Sequence, residues 1–185
     1  MPYEVEQKCP LAEADALRSQ LARLVDKASE SVEQVDTYYA HPGRDFAVTD
    51  EALRIRRSAQ SAVMTYKGPK LDQTTKTRQE IEVPIEDGAE GAKRCDALLQ
   101  ALGFRQVAEV HKHREQFRFL WRDRAVEVAI DQVEGLGSFV ELETLAGDQA
   151  EIEPARQAIL KLAAELNLSD FERRSYLELL LAAEQ

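Results

Sequence analysis

The chain has 185 residues, 44% of them hydrophobic and 31% charged, with a formal net charge of −10 and a pI near 4.9. That length suits one domain, spanning residues 1–185, with a substantial buried core. The acidic balance argues against nucleic acid or an anionic membrane as partner, because both select a dominant basic surface.

In chain order, the opening MPYEVEQKCP is charged and unlike a signal peptide. Tyr3 to Cys9 reads as a strand. Pro10 suits the first turn of a following helix, with Leu17, Leu21, Leu24 and Val25 as its apolar stripe. Val32 to Ala40 is a second strand, and the loop His41 to Asp45 follows, with Asp45 and Asp50 read as solvated loop residues. Ala52 to Ser58 and Ala62 to Lys67 make a hairpin. The loop Gly68 to Asp72 reads equally as a lid or a plain turn, and a long strand runs from Lys76 to Ile85. A helix over 89–102 should bury Leu98, Leu99 and Leu102 and end at Gly103. Three strands come next, Val107 to Leu120, Ala125 to Val133 and Ser138 to Thr144. Two helices close the chain, one from Pro154 with Ile159, Leu162 and Leu166 inward, the other from a capping box of Ser169 and Glu172. Cys9 and Cys95 form neither a CxxC motif nor a disulfide framework and read as buried apolar residues. The longest apolar run, Leu179 to Ala183, is too short for a bilayer, so the cytoplasm is the expected location.

Residues two apart share a strand face. Glu4, Glu6 and Lys8 therefore lie together, as do Arg54 and Arg56; Lys76, Arg78, Glu80 and Glu82; Lys112, Arg114 and Arg118; Glu127 and Asp131; and Glu141 and Glu143. For any one strand a solvated polar face is the commoner explanation. Six strands with ionic faces of both signs, opposite apolar faces that about four helices can cover, point instead to an antiparallel sheet of about eight strands curled around a charged interior. The fold class is α+β. Buried charges need partners, and a triphosphate with divalent cations supplies both signs. Arg and Lys match phosphate oxygens, and carboxylates match Mg²⁺ or Mn²⁺. His111 and His113 point away from that interior and are expected to pack beneath a helix.

Glu4-Val5-Glu6-Gln7-Lys8 fits the pattern ExExK at the N-terminus. With VEQVDTYYAHPGRD (32–45), EALRIRR (51–57), MTYKGPKLDQTTKTRQEIEV (64–83), HKHREQF (111–117), VAIDQVEGLGSFVELE (128–143) and, more loosely, SYLELLL, it resembles the CYTH family, the triphosphate tunnel metalloenzymes. TYKGP and KTRQEIEV bring it nearest the class IV adenylyl cyclase-like branch. The resemblance implies an eight-stranded antiparallel tunnel. It assigns metal binding to Glu4, Glu6, Asp131, Glu141 and Glu143, and phosphate binding to Lys8, Arg54, Arg56, Lys67, Lys76, Arg78, Lys112 and Arg114. Glu4, Glu6 and Lys8 form its catalytic core, with Glu80 and Glu82 in support. Mg²⁺ or Mn²⁺ is the implied cofactor, ATP the leading substrate, and a homodimer the assembly suggested by the cyclase branch. Thiamine triphosphate or inorganic tripolyphosphate hydrolysis is the alternative. A non-catalytic polyphosphate- or nucleotide-binding module, and then a purely structural ionic barrel, are the further ones.

Overall fold

The computed structural model describes residues 2–25 and 29–183. Eight strands close an antiparallel barrel in the order β1-β5-β4-β3-β2-β6-β7-β8. They are β1 (Tyr3–Pro10), β2 (Glu30–Ala40), β3 (Ala52–Arg57), β4 (Ala62–Lys67), β5 (Arg78–Ile85), β6 (Arg105–Trp121), β7 (Arg124–Val133) and β8 (Gly137–Ala146). The helices are α1 (Ala14–Leu21), α2 (Phe46–Thr49), α3 (Gly88–Ala101), α4 (Ile152–Glu165) and α5 (Tyr176–Ala183). β1 is the closing strand. It pairs with β8 along its whole length but with β5 only through Tyr3↔Gln79 and Glu4↔Arg78. Beyond that short ladder the edge of β1 is taken up by the Lys76 N–H on the Glu6 carbonyl and the Glu172 N–H on the Lys8 carbonyl, and closure turns one face of every strand inward.

The inward face is the ionic one. The apolar core therefore lies outside the barrel, where α1 and α4 cover β1, β6, β7 and β8. Val5, Val128, Val140, Leu142, Ile159 and Leu162 are completely buried there. A second core sits under α3 and includes Ile55, Ala62 and Leu99. Gly91 permits that approach, since a Cβ there would lie 1.9 Å from the Glu86 carbonyl oxygen.

Several sequence expectations are corrected at element ends. Pro10 closes β1, and the first helix starts only at Ala14 and ends at Leu21, which leaves Leu24 exposed. Of the three leucines expected inward here, Leu99 alone is buried; Leu98 on α3 and Leu102 just past its end face solvent. The short helix α2 is additional. Asp45 caps it by accepting from the Ala47 N–H, and Asp50 accepts from the backbone and the ammonium of Lys70, so neither is a merely solvated loop residue. Those bonds also tie down the loop at 68–72. The last helix begins at Tyr176, and its capping box is Ser175 with Glu178, not Ser169 with Glu172: the Ser175 N–H donates to Glu178 and the Glu178 N–H to Ser175 Oγ. His111 and His113 lie under no helix; both are nearly half exposed, and His113 Nδ1 lies 2.7 Å from Glu33. Cys9 is buried and Cys95 half-buried, both with free thiols.

Candidate active site

A cavity of about 1630 Å³ occupies the barrel interior and reaches both of its ends. Antiparallel register stacks the ionic side chains in rows along its wall. Arg118, Glu127, Glu143 and Glu6 form one row across β6, β7, β8 and β1, and Gln116, Ala129, Glu141 and Lys8 form the next. The opposite wall carries Arg54 and Arg56 on β3, Lys67 on β4 and Glu80 on β5.

Glu4, Glu6 and Glu143 converge so that one carboxylate oxygen from each lies within 4.8 Å of the others. Among the described residues this is the one such cluster of metal-ligating side chains. Its electrostatics are divided. Burial raises Glu4's pKa, but the Lys67 ammonium 3.2 Å away outweighs it and holds the carboxyl at about 2. Burial, and then the charge of Glu4, push Glu143 well above the usual carboxylate range. Glu80, which shares Lys67, is held up at about 7, chiefly by burial. Three crowded oxygen donors, one of them reluctant to ionise, fit a hard divalent cation that would neutralise the repulsion.

Two buried aspartates behave differently. Asp131 accepts from Arg114 Nε at 2.7 Å and Nη2 at 2.5 Å, from Lys112 at 3.1 Å and from the Tyr176 hydroxyl at 2.9 Å. Asp36, also fully buried, takes a two-pronged contact from Arg56 at 2.7 and 2.8 Å and a third bond from Arg54 at 3.2 Å. Burial opposes ionisation of Asp36, but Arg56 and Arg54 overcome it and hold its pKa far below normal. Each aspartate therefore aligns a pair of basic residues two apart on the adjoining strand. Glu141 likewise pairs with Arg114.

The CYTH domain matches residues 2–176 of this chain. The chain belongs to the CYTH family. A relative from Methanocaldococcus jannaschii with a provisional adenylate cyclase name is 39% identical over 95% of this chain and 97% of its own. The adenylate cyclase CyaB of Aeromonas hydrophila is 31% identical over 94% and 86% respectively. Among solved structures, a Pyrococcus horikoshii protein superimposes with a TM-score of 0.84 at 42% identity, covering 97% of this chain and 98% of that one. A Hippeastrum protein described as having a dominant triphosphatase activity shares the fold at a TM-score of 0.64 and 17% identity, over 95% and 91% of the two chains.

Most residues that the CYTH resemblance singled out meet in this tunnel, but not always in the expected arrangement. Asp131 is enclosed by four donor contacts from Arg114, Lys112 and Tyr176, apart from the glutamate cluster that would hold a cation. Lys76 lies in the loop before β5; its N–H donates to the Glu6 carbonyl at 2.9 Å and its ammonium pairs with the Glu6 carboxylate. Lys8 donates to the Arg174 carbonyl at 2.6 Å and sits 4.0 Å from the centre of the Tyr176 ring. Burial, and then the nearby Lys76, lower its pKa to about 7. Lys112 is lowered to about 8 by burial and by Arg114 beside it. Arg78 is buried, whereas Glu82 is exposed and only accepts from Thr65 at 3.3 Å. The sequence reading missed Asp36 and Tyr176. Asp36 had one signal, a charge on the same face as Gln34 and Tyr38 in mid-strand. Tyr176 had only its place in the loosely matching SYLELLL stretch, which assigns it no role because its position depends on where the C-terminal segment docks.

Proposed function

We propose that this protein is a divalent-metal-dependent enzyme acting on a triphosphate, and that its reaction is the cyclase type, ATP to cyclic AMP and pyrophosphate. The observation that carries this reading is the juxtaposition of the Glu4, Glu6 and Glu143 cluster with a basic set inside one cavity. The cyclase-named relatives at 39% and 31% identity support the choice of reaction. In this reading Glu4, Glu6 and Glu143 hold Mg²⁺ or Mn²⁺, which would supply charge neutralisation and orientation of the phosphates. Arg54, Arg56, Lys67, Lys112 and Arg114 bind phosphate oxygens as fixed cations, so charge that develops during the reaction meets a site already arranged for it. Asp36 and Asp131 keep those cations aligned, and Glu141 supports Arg114. The substrate's ribose 3′-oxygen attacks the α-phosphorus and passes its proton to solvent, while the bond from the α-phosphorus to the bridging oxygen breaks and pyrophosphate leaves with that electron pair.

Triphosphate hydrolysis is the second reading, since the same walls would hold a terminal phosphate for attack by water. Incubation with ATP, thiamine triphosphate and tripolyphosphate, each with Mg²⁺ or Mn²⁺, separates the two. Cyclic AMP with stoichiometric pyrophosphate is the expected result. Orthophosphate alone selects the hydrolase, and binding without turnover overturns both.

A further inference from the structure

β6 turns Lys112 and Arg114 into the tunnel, so the residues that alternate with them face outward. Glu109, His111 and His113 occupy successive positions on that outer face, about 7 Å apart along the strand. The tunnel chemistry has no use for them, because the backbone of β6 stands between. Nor are they packing residues: the His111 side chain is 49% exposed and that of His113 44%. Two imidazoles and a carboxylate, side by side and open to solvent, are left without a role in core or tunnel.

Their contacts leave the right atoms free. Glu109 Oε1 accepts from the Thr37 hydroxyl at 2.7 Å and from Arg57 at 2.8 Å, which fixes the carboxylate. Its other oxygen, Oε2, stands 3.6 Å from His111 Nε2. That is too long for a hydrogen bond. It is close to the separation of two atoms bound to one ion, since zinc–nitrogen and zinc–oxygen bonds of about 2.0–2.2 Å put neighbouring ligands about 3–3.5 Å apart. Glu33, opposite His113 on β2, lies 2.7 Å from His113 Nδ1. An ionised carboxylate can only accept, so Nδ1 carries the proton and Nε2 keeps its lone pair. A carboxylate on the far ring nitrogen is the contact that orients a metal-bound imidazole and raises its basicity.

We propose that Glu109, His111 and His113 form a second metal site on the outer wall of the barrel, which takes Zn²⁺ through two imidazole nitrogens and one carboxylate oxygen, with Glu33 orienting His113. The donor set differs in kind from the glutamate cluster inside. Three carboxylates suit a hard cation such as Mg²⁺, whereas imidazole selects Zn²⁺ and its transition-metal neighbours. Three protein ligands leave a fourth position for water. The net charge of −10 favours the approach of any cation. This group is wider than the glutamate cluster, whose ligand atoms lie within 4.8 Å of one another. The ion closes it by drawing the exposed His113 ring toward His111, a change of rotamer rather than of backbone. The site stands on the opposite face of β6 from the tunnel, so it holds or fails independently of the triphosphate reading.

The test is calorimetric titration of the whole protein with Zn²⁺ alone as probe, in excess Mg²⁺. The variants are His111→Ala, His113→Ala and Glu33→Gln, all at exposed or half-exposed positions that the fold tolerates, with His41→Ala as a histidine control and Glu143→Gln to mark any Zn²⁺ taken up in the tunnel. Loss of an orienting carboxylate costs about 10–100-fold in metal affinity. Glu33→Gln should therefore weaken Zn²⁺ about tenfold, and His111→Ala or His113→Ala, which remove a ligand outright, about a hundredfold. His41→Ala and Glu143→Gln should leave this binding event within twofold. Absence of Zn²⁺ binding by wild-type protein overturns the site, as does Zn²⁺ binding that survives both histidine variants or is lost only in Glu143→Gln. Wild-type affinity in Glu33→Gln removes the orienting role of Glu33.

Discussion

Asp131 and Glu143 stand on adjacent strands of one wall, both within the same ionic interior, yet their surroundings drive them in opposite directions. Asp131 is enclosed by Arg114, Lys112 and Tyr176, and its pKa is lowered despite burial because those cations lie within bonding distance. Glu143 is buried beside Glu4 and Glu6, and its pKa is raised. Burial alone does not distinguish them, since it disfavours ionisation in both. The difference lies in the sign of the nearest neighbours. A carboxylate enclosed by the chain's own cations serves as an anchor, as Asp131 does; in the cluster Glu4 and Glu6 each pair with a lysine, Lys67 and Lys76, and it is Glu143, crowded by both glutamates, whose charge an external cation would stabilise.

This contrast can be broken experimentally. The largest effect is expected for Glu6→Gln or Arg56→Ala, which should lower kcat/KM by about 10²–10³-fold, the scale of losing one preorganised transition-state contact, while far-ultraviolet circular dichroism stays native. Wild-type turnover in either variant would remove its residue from the catalytic assignment.

Next in size is stability without metal. Asp131→Asn leaves Arg114 and Lys112 short of a buried counter-charge and should cost about 3–5 kcal/mol in urea unfolding. Asp36→Asn should behave the same way through Arg56 and Arg54. Glu143→Gln replaces a carboxyl already reluctant to ionise with a neutral isostere and should be neutral or mildly stabilising in EDTA. A loss for Glu143→Gln comparable to that of Asp131→Asn would erase the distinction between anchor and cation site.

Metal addition reverses the ranking. Mg²⁺ at about 100 times its Kd should stabilise wild-type protein by about 2.7 kcal/mol, visible as a rise in Tm. Glu143→Gln should lose most of that rise, and Leu102→Asp, a control at an exposed position just past α3, should keep it.

A further effect of similar order is a pH slope. The Glu80 carboxyl is raised to about 7, against an ordinary value of 4.5, so between those values the folded protein holds a proton that the unfolded chain has released. That contribution is fully present below 4.5 and is lost as pH rises through 7. In EDTA, the stability of wild-type protein relative to Glu80→Gln should therefore decline from pH 4.5 to 7.5; a flat difference across that window contradicts the assignment.

Much of the fold was legible because alternation is a local property. The eight strands lie near their expected ranges, and the inward face is the charged one, as strict period-two placement of Glu4, Glu6 and Lys8 or of Arg54 and Arg56 required. The outer covering was less legible. Leu98 on α3 and Leu102 just past its end do not share the burial of Leu99, because α3 sits over β3, β4 and β5 on a narrow face. Ile81 and Val83, on the apolar face of β5, remain exposed.

For the site, the sequence by itself determined the inventory and its facing: carboxylates and basic residues of both signs, alternating into one interior, in an order that resembles the CYTH family. Side-chain parity needs only the next two residues, so it survives whatever the tertiary structure does. Which carboxylate meets which cation was decided by barrel closure and register. Those bring Glu143 beside Glu6, Arg114 and Lys112 onto Asp131, Arg56 onto Asp36, and Tyr176 from the C-terminal segment onto Lys8. Such contacts span up to the length of the chain, and Coulomb energy depends on distance in space rather than along the sequence. The separation of the cation-paired aspartates from the glutamate cluster is therefore a property of the closed barrel.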